Sequence, residues 1–550
     1  MMNSSVMTRI VVMAHPLGHR HMDGVPAAKG MGTMMMTVWV WVMTIKSVPP
    51  ISSLSSIKGH PAWHRVIFAP LALIFFSGMN LILIQWVLVR ELTALLFGTE
   101  LVILLVSAAY FAGISVGYRL SEPIRLNHLK PLAVFTLIVH LSLPIWFRLM
   151  VAGLAAVDAY SVAFVLLLLL TPFVISAFYS IFLPLLIKQQ SGSLAELYGL
   201  ELVGSICGVA ILVLLGGLGL QTVYILYSAG VLAILASLRL KRTWLTFMTV
   251  VASLWLVVLP VLNTWSNTLW FVQLRNLPAG SKTVFSGYSA YQKVDVLETP
   301  SGKRYLYLDG LEHFGSYSGE RLNVVMGQIP AALLQPQNTL VVGAGSMQME
   351  ALIAEHARYV TTVELDPMVA EVSQRYFTRY NHMDSLTNHR LTIDDAKHFL
   401  ANTEAQYDLV ATDVPAAFSI QTATLYSESF YQSIADHLTP QGVLAVGLTS
   451  TFAPDDLVSR RITASLLAVF DEVMVITAPS VGWSFAYASN DMPFDRTEVE
   501  TALQARYEMG YVIYDTLAVQ TVVGDAEPIT LDSMDIVLRV SFDRIRSRFE

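Results

Sequence analysis

A single cysteine, Cys207, occurs in 550 residues, which excludes an intrachain disulfide and leaves no thiolate set for a metal site. It lies in an apolar run, where a small packing residue is expected. Charge is scarce too: 14% of residues are Asp, Glu, Lys or Arg, against ~25% in an ordinary soluble domain. The scarcity is uneven. Residues 1–279 carry 16 Lys and Arg and 7 Asp and Glu, whereas residues 280–550 carry 18 and 34. The first part is apolar and weakly basic; the second is acidic and suited to water. A chain of this length exceeds one ordinary core, and the change of solvent preference divides it. The acidic part lacks the basic face that phosphates require, so no nucleic-acid partner is expected. It suits a cationic substrate, and equally a surface kept acidic for solubility.

Residues 1–65 are rich in Met, Gly, His and Ser without sustained periodicity, and read as a disordered tail. Their apolar stretch Met34–Ile45 is short of the ~20 residues that span a bilayer, and no small-residue cleavage site follows it. Over 66–265 long apolar runs alternate with short polar breaks, giving expected spans near 66–88, 100–118, 131–151, 161–187, 202–219, 221–238 and 244–262. In lipid such runs must be helical. The expectation is a transmembrane bundle of about seven spans, with the lipid bilayer as partner. Small residues at Ala112–Gly117 and Gly204–Gly208 would let helices approach closely. Basic residues follow the second span (Arg119, Arg125, Lys130), the fourth (Lys188) and the sixth (Arg239, Lys241, Arg242). The positive-inside rule places those loops in the cytoplasm. Seven spans then put the C-terminal domain on the far face, although nucleotide cofactors are kept in the cytoplasm; its side stays open. Arg90 and Glu91 are expected to snorkel at an interface, and His140 to be a hydrogen-bonded bundle residue.

After a polar linker (266–284) the pattern changes to short strands, with 285–550 forming the soluble part: a small β-layer over 285–330 and a nucleoside-binding α/β domain over 331–550. Val294–Leu297 and Tyr305–Leu308 read as strands joined by the turn Thr299-Pro300-Ser301-Gly302. Asn338–Val342 is a strand ending in Gly343-Ala344-Gly345, followed by a helix, and Tyr359–Glu364 a strand ending in acid. That is the layout of a doubly wound sheet that binds a nucleoside at its strand C-termini. Gly343 and Gly345 let backbone approach a ligand where a Cβ would obstruct it. Glu364 stands where a carboxylate accepts ribose hydroxyls. Further strands end in Asp394-Asp395 and Thr412-Asp413. Any one acid could simply cap the next helix; three at one crevice point to a ligand.

The stretches Ser289-Ala290-Tyr291-Gln292, Leu308-Asp309-Gly310, Val341–Gly345, Val363–Pro367, Asp394-Asp395, Thr412-Asp413, Leu425–Tyr431 and Leu438–Leu444 resemble, in order and spacing, the spermidine synthase family. The apolar half, with Gln85–Arg90 and the run ending at Gly117, is similar to membrane regions fused to such domains in bacteria. The resemblance implies a Rossmann-like domain of the class I S-adenosylmethionine-methyltransferase type, anchored in a bacterial inner membrane. It implies decarboxylated S-adenosylmethionine or S-adenosylmethionine as co-substrate, no metal, and a small amine as acceptor; a homo-oligomer is compatible with it. It assigns Gln292 to the cofactor's amino-acid-derived end, Glu364 to the ribose, Asp395 to the adenine amino group and Asp413 to the catalytic base. Asp309, His313 and Tyr426 fall on its substrate side.

Departures from the family pattern lie mostly on that side. The second acid expected three residues after Asp413 is Ala416, preceded by Pro415. A His-Glu pair is absent around Asn323-Val324, a Gln is replaced by His313, and the glycine loop continues Ser346-Met347-Gln348. The leading expectation is an aminopropyltransferase-like enzyme of polyamine biosynthesis. The rivals are a methyltransferase on another acceptor, and a non-catalytic nucleoside- or polyamine-binding sensor or transport-associated protein.

Overall fold

The computed structural model describes residues 61–546, apart from 97–98, 126–127, 158, 189–192, 215–219, 238–241, 316–321, 344, 418, 479–481, 507–509 and 534. The expected tail up to residue 60, and Ala344 of the glycine turn, lie outside the described residues.

Each expected apolar run is met by a helix. They are α1 (Pro61–Leu95), α2 (Glu100–Leu120), α3 (Leu129–Ala155), α4 (Thr171–Ser180), α5 (Leu194–Leu214), α6 (Leu220–Ser237) and α7 (Arg242–Leu274). Tyr160–Val165 and a π-helical turn at Leu166–Leu170 precede α4, and Phe182–Ile187 follows it. Among the described residues six helices are long and apolar enough to cross a membrane; the apolar part of α6, Gln221–Ala233, is shorter. Against the expected count of about seven, α6 accounts for the difference.

Glycines set the tightest contacts. A Cβ at Gly204 would lie 2.0 Å from the Phe75 carbonyl oxygen, so α5 and α1 touch backbone to backbone. Gly113 and Gly117 seat α2 against α4 in the same way, 2.2 Å from the carbonyls of Phe173 and Ala177. Cys207, on α5, is half-buried.

α7 continues through Pro260 to Leu274, and the first strand begins at Lys282. The bundle therefore runs past the expected boundary at 265, and the first part of the expected linker, up to Leu274, is helix. Ser266, Asn267, Trp270 and Phe271 are buried, because this end of α7 packs on the β-layer.

That layer is an antiparallel sheet, β1 (Lys282–Tyr288), β2 (Lys293–Glu298), β3 (Arg304–Leu308) and β4 (Leu311–Gly315), in sequential order. A second sheet follows: β5 (Asn338–Val342), β6 (Tyr359–Glu364), β7 (His389–Ile393), β8 (Tyr407–Thr412), β9 (Leu438–Gly447), β10 (Glu472–Ala478), β11 (Trp483–Ser489) and β12 (Val512–Tyr514). Its order is β12-β10-β11-β9-β8-β5-β6-β7. β5 to β9 run parallel, and the continuous apolar runs of β5 and β8 are buried, as a sheet covered on both faces requires. β5 has β6 on one side and β8 on the other, so strand order reverses there. A crevice opens beyond the strand C-termini at such a point.

The β-layer docks on one end of the bundle. Arg90 of α1 donates to the carbonyls of Ser289 and Ala290 (3.2 and 3.0 Å), and Arg275 donates to Gly310. At the opposite end Lys188 donates to the carbonyls of Ser121 and Glu122 (2.9 and 3.3 Å).

Candidate active site

The crevice is built from strand ends. Asp413, directly after β8, donates its backbone N–H to Val342 (2.8 Å), and Gly343 donates to Val363 (2.9 Å). These bonds continue the ladder one residue past each strand and fix the turn against its neighbours. Gly343 has φ +93° and Gly345 φ +43°, the left-handed region where only glycine is unstrained. Space is as restrictive as conformation. A Cβ at Gly343 would sit 2.2 Å from the Asp413 carbonyl oxygen, and one at Gly345 would sit 2.6 Å from His313 Nε2 and 2.8 Å from Asp413 Oδ2. Gly343→Ala is therefore expected to abolish nucleoside binding by pushing the turn off β8, while the far-ultraviolet circular dichroism of the full chain stays near that of the parent. Calorimetry with methylthioadenosine checks it; unchanged affinity would count against the crevice.

The structure brings Gly343, Gly345, Asp413 and His313 into one group. His313 comes from β4 of the small layer, and its Nε2 lies 3.6 Å from Asp413 Oδ2, with both side chains largely enclosed. Burial alone would lower the imidazole pKa, but the Asp413 carboxylate beside it holds it above the ordinary 6.5. Tyr426 is buried and donates its hydroxyl to the carbonyls of Val414 and Pro415 (3.1 and 3.2 Å), bracing the segment after Asp413.

On the other side Glu364 ends β6, and its Oε1 accepts the Asp366 backbone N–H at 2.7 Å. Gln292 donates its amide to Asp366 Oδ2 at 3.3 Å, a carboxylate oxygen that also takes the Ser289 hydroxyl at 2.6 Å. Asp395 is exposed beyond β7 and caps the next helix, its Oδ1 accepting the Lys397 N–H at 2.8 Å. The capping role open to any one strand-end acid is thus realised at Asp395 and Asp366. Asp309 stands apart. It occupies the β3–β4 turn at φ +45° and accepts the Lys293 backbone N–H at 2.8 Å. Burial, opposed by that hydrogen bond and by Arg90, raises its carboxyl to about 6.

Two members of the site escaped sequence reasoning. Tyr291 lies in the field of Asp366, Asp395 and Glu364; burial first, then these carboxylates, raise its phenol. Glu350, in the first turn of the helix after the glycine loop, is 1% exposed, and burial pushes it well above the usual carboxylate range. It lies behind Asp413 and Glu364 and accepts the Thr362 hydroxyl at 3.4 Å. Its signal is an acid directly before the apolar run Ala351–Ala354 of the helix Gln348–Ala354.

Carboxylates at three strand ends around a turn without side chains fit a nucleoside, and the span that holds them is diagnostic. The family model for the spermine/spermidine synthase domain matches residues 320–498. Over that span the chain is similar to the spermidine synthase family. A polyamine aminopropyltransferase of Oceanobacillus iheyensis is 32% identical over 212 residues, 37% of this chain and 41% of that protein. Another, from Lachnospira eligens, is 27% identical over 220 residues, 38% of this chain and 76% of that protein. The match thus spans less than half the length of the first relative. A spermidine synthase solved in complex with the transition-state analogue AdoDATO is 20% identical, with TM-score 0.36, covering 47% of this chain and 88% of that one. Gln292, Asp309 and His313 precede the matched span, whereas Gly343, Gly345, Glu364, Asp395, Asp413 and Tyr426 fall within it.

Proposed function

We propose that this chain is a membrane-anchored aminopropyltransferase-like enzyme. Its crevice would take decarboxylated S-adenosylmethionine, and an amine would attack the methylene carbon beside the sulfonium. A nitrogen–carbon bond forms, the carbon–sulfur bond breaks with its electron pair going to sulfur, and a neutral thioether leaves. The surplus proton on nitrogen passes to Asp413. A sulfonium is already a good leaving group, so positioning and proton acceptance are the tasks left to the protein. The observation that carries this reading is the Asp413–His313 pair set against two glycines at the strand switch point. Glu364 and Asp395 would hold the ribose and the adenine, and Tyr291 and Gln292 would border the sulfonium arm. Full-length protein given decarboxylated S-adenosylmethionine and putrescine should release methylthioadenosine and a triamine. Methyl transfer from S-adenosylmethionine instead would overturn it. That second reading draws on Pro415 and Ala416, which place no second acid beside Asp413 to bind a diamine's far ammonium.

The raised pKa of His313 gives a pH dependence. At low pH the imidazolium pairs with Asp413 and occupies the carboxylate. As pH rises through a value above 6.5, the imidazole loses its proton and Asp413 becomes free to accept one. Turnover should therefore climb with pH in that window, and His313→Gln should remove the climb. A profile identical in the variant would separate His313 from the proton path.

Anchoring is supported by the six long apolar helices. The β-layer docks at the bundle end away from Ser121 and Lys188, so a reporter after Glu550 is expected on the membrane face opposite one placed in the 121–125 loop. Both reporters on one face would refute this path through the membrane.

A further inference from the structure

We propose that the bundle holds a second binding site, for an organic ammonium ion, centred on Glu201. The proposal stands apart from the chemistry of the crevice. Among the described residues of the bundle two carboxylates are buried, and they are treated differently. Glu91 is fully enclosed and meets the Arg148 guanidinium through two bonds of 2.9 and 2.8 Å. Glu201, on α5, is 5% exposed, yet its carboxylate forms neither an ion pair nor a hydrogen bond among the described residues. A buried carboxylate without a counter-charge is costly, and an acid inside an apolar span marks a function when no protein group neutralises it.

The surroundings specify the missing partner. Glu201 is pressed against α1 at Gly78, where a Cβ would lie 2.0 Å from the Glu201 carbonyl oxygen and 3.0 Å from its Cγ. On the same stretch of α1, Tyr179 donates its hydroxyl to Ser77 at 2.9 Å and Tyr110 donates to Leu81 at 3.0 Å. Both rings are thereby fixed near this level, and Glu201 acts electrostatically on both and on the phenols of Tyr118 and Tyr198. Carboxylate and several aromatic rings together recognise an ammonium, by charge and through the ring faces. No group of three or more metal-ligating side chains accompanies Glu201 among the described residues, which favours an organic cation over a metal ion. Tyr198 is 42% exposed, and Glu201 lies seven residues, about 10 Å at 1.5 Å per residue, from the start of α5 at Leu194. The site therefore belongs to the end of the bundle remote from the crevice, with the Tyr198 edge as its entrance.

The test uses the full chain in nanodiscs, with n-butylammonium as probe and n-butanol as its uncharged match. Calorimetry should detect an n-butylammonium site that n-butanol does not fill. Glu201→Gln should weaken it at least tenfold, with turnover in the crevice unchanged. Asp413→Asn should leave it in place, which separates it from any amine bound in the crevice. Tyr118→Leu should weaken it and Tyr118→Phe should not, a second route if Glu201→Gln fails to fold. Equal binding of butanol, or binding unchanged in both Glu201→Gln and Tyr118→Leu, overturns the site and leaves Glu201 a protonated packing residue.

Discussion

Asp413→Asn is expected to lower aminopropyl transfer by about 10²–10⁴-fold, the usual contribution of a positioned general base, while methylthioadenosine still binds. The substitution preserves size, and the backbone that holds residue 413 does not depend on its charge. Its N–H is bonded to Val342, and the carbonyls of the next two residues accept the Tyr426 hydroxyl. What is lost is the proton acceptor. An amide cannot take the proton that leaves the attacking nitrogen, and a protonated amine has no lone pair to attack with. Because His313 acts through the same carboxylate, 3.6 Å away, Asp413→Asn combined with His313→Gln should be no slower than Asp413→Asn alone. Single-turnover rates and calorimetry on the same preparations separate the outcomes. An unchanged rate would remove Asp413 from the chemistry. Loss of nucleoside binding together with rate would make it a structural residue of the crevice.

The parts of this site that sequence made legible are those with a fixed local grammar. A strand ending in glycines, and strands ending in acids, occupy equivalent places in a parallel sheet, so Gly343, Glu364, Asp395 and Asp413 could be aligned before any geometry was known. β1 and β4 were harder to see. Their alternation is blurred because the layer packs on the bundle as well as on the α/β domain; Tyr288 is buried against Trp86 of α1. The end of α7 was misplaced for the same reason. Asn263, Ser266 and Asn267 look like the polar exit of a span, yet Ser266 and Asn267 are fully buried and Asn263 accepts from Arg148 at 2.7 Å. Polar residues that answer a partner far along the chain cannot be told from solvated ones by local pattern. His140 was read correctly as a hydrogen-bonded residue; its Nδ1 meets the Tyr227 hydroxyl. Glu91, expected to snorkel at an interface, is instead 0% exposed and bonded to Arg148, 57 residues on.

That correction leads to the largest stability effect in the molecule. Arg148→Met is expected to destabilise the full chain by about 3–5 kcal/mol, the range for stranding one half of a buried ion pair. Arg148 is fully enclosed; its guanidinium joins both Glu91 oxygens and the side chain of Asn263 on α7. The Tyr288 hydroxyl of β1 donates to the same Glu91 carboxylate. Beside it Lys293 pairs with Asp295 at 3.1 Å, and Asn267 of α7 bonds to both. Three helices and two strands thus meet on one set of charges, which ties the Ser289–Gln292 turn of the crevice to the bundle. Removing Arg148 leaves Glu91 buried with a tyrosine and no cation bonded to it, since Lys293 is already paired with Asp295, so the layer should lift from the helices. A lowered unfolding midpoint in detergent, with faster proteolysis of the 275–281 connection, would report this. Glu91→Leu combined with Arg148→Met should recover most of the loss, since no charge is then stranded and the packing volume is kept. If the double variant falls as far as Arg148→Met alone, the junction is held by the hydrogen-bond network that passes through Glu91, and the ion pair is incidental to it.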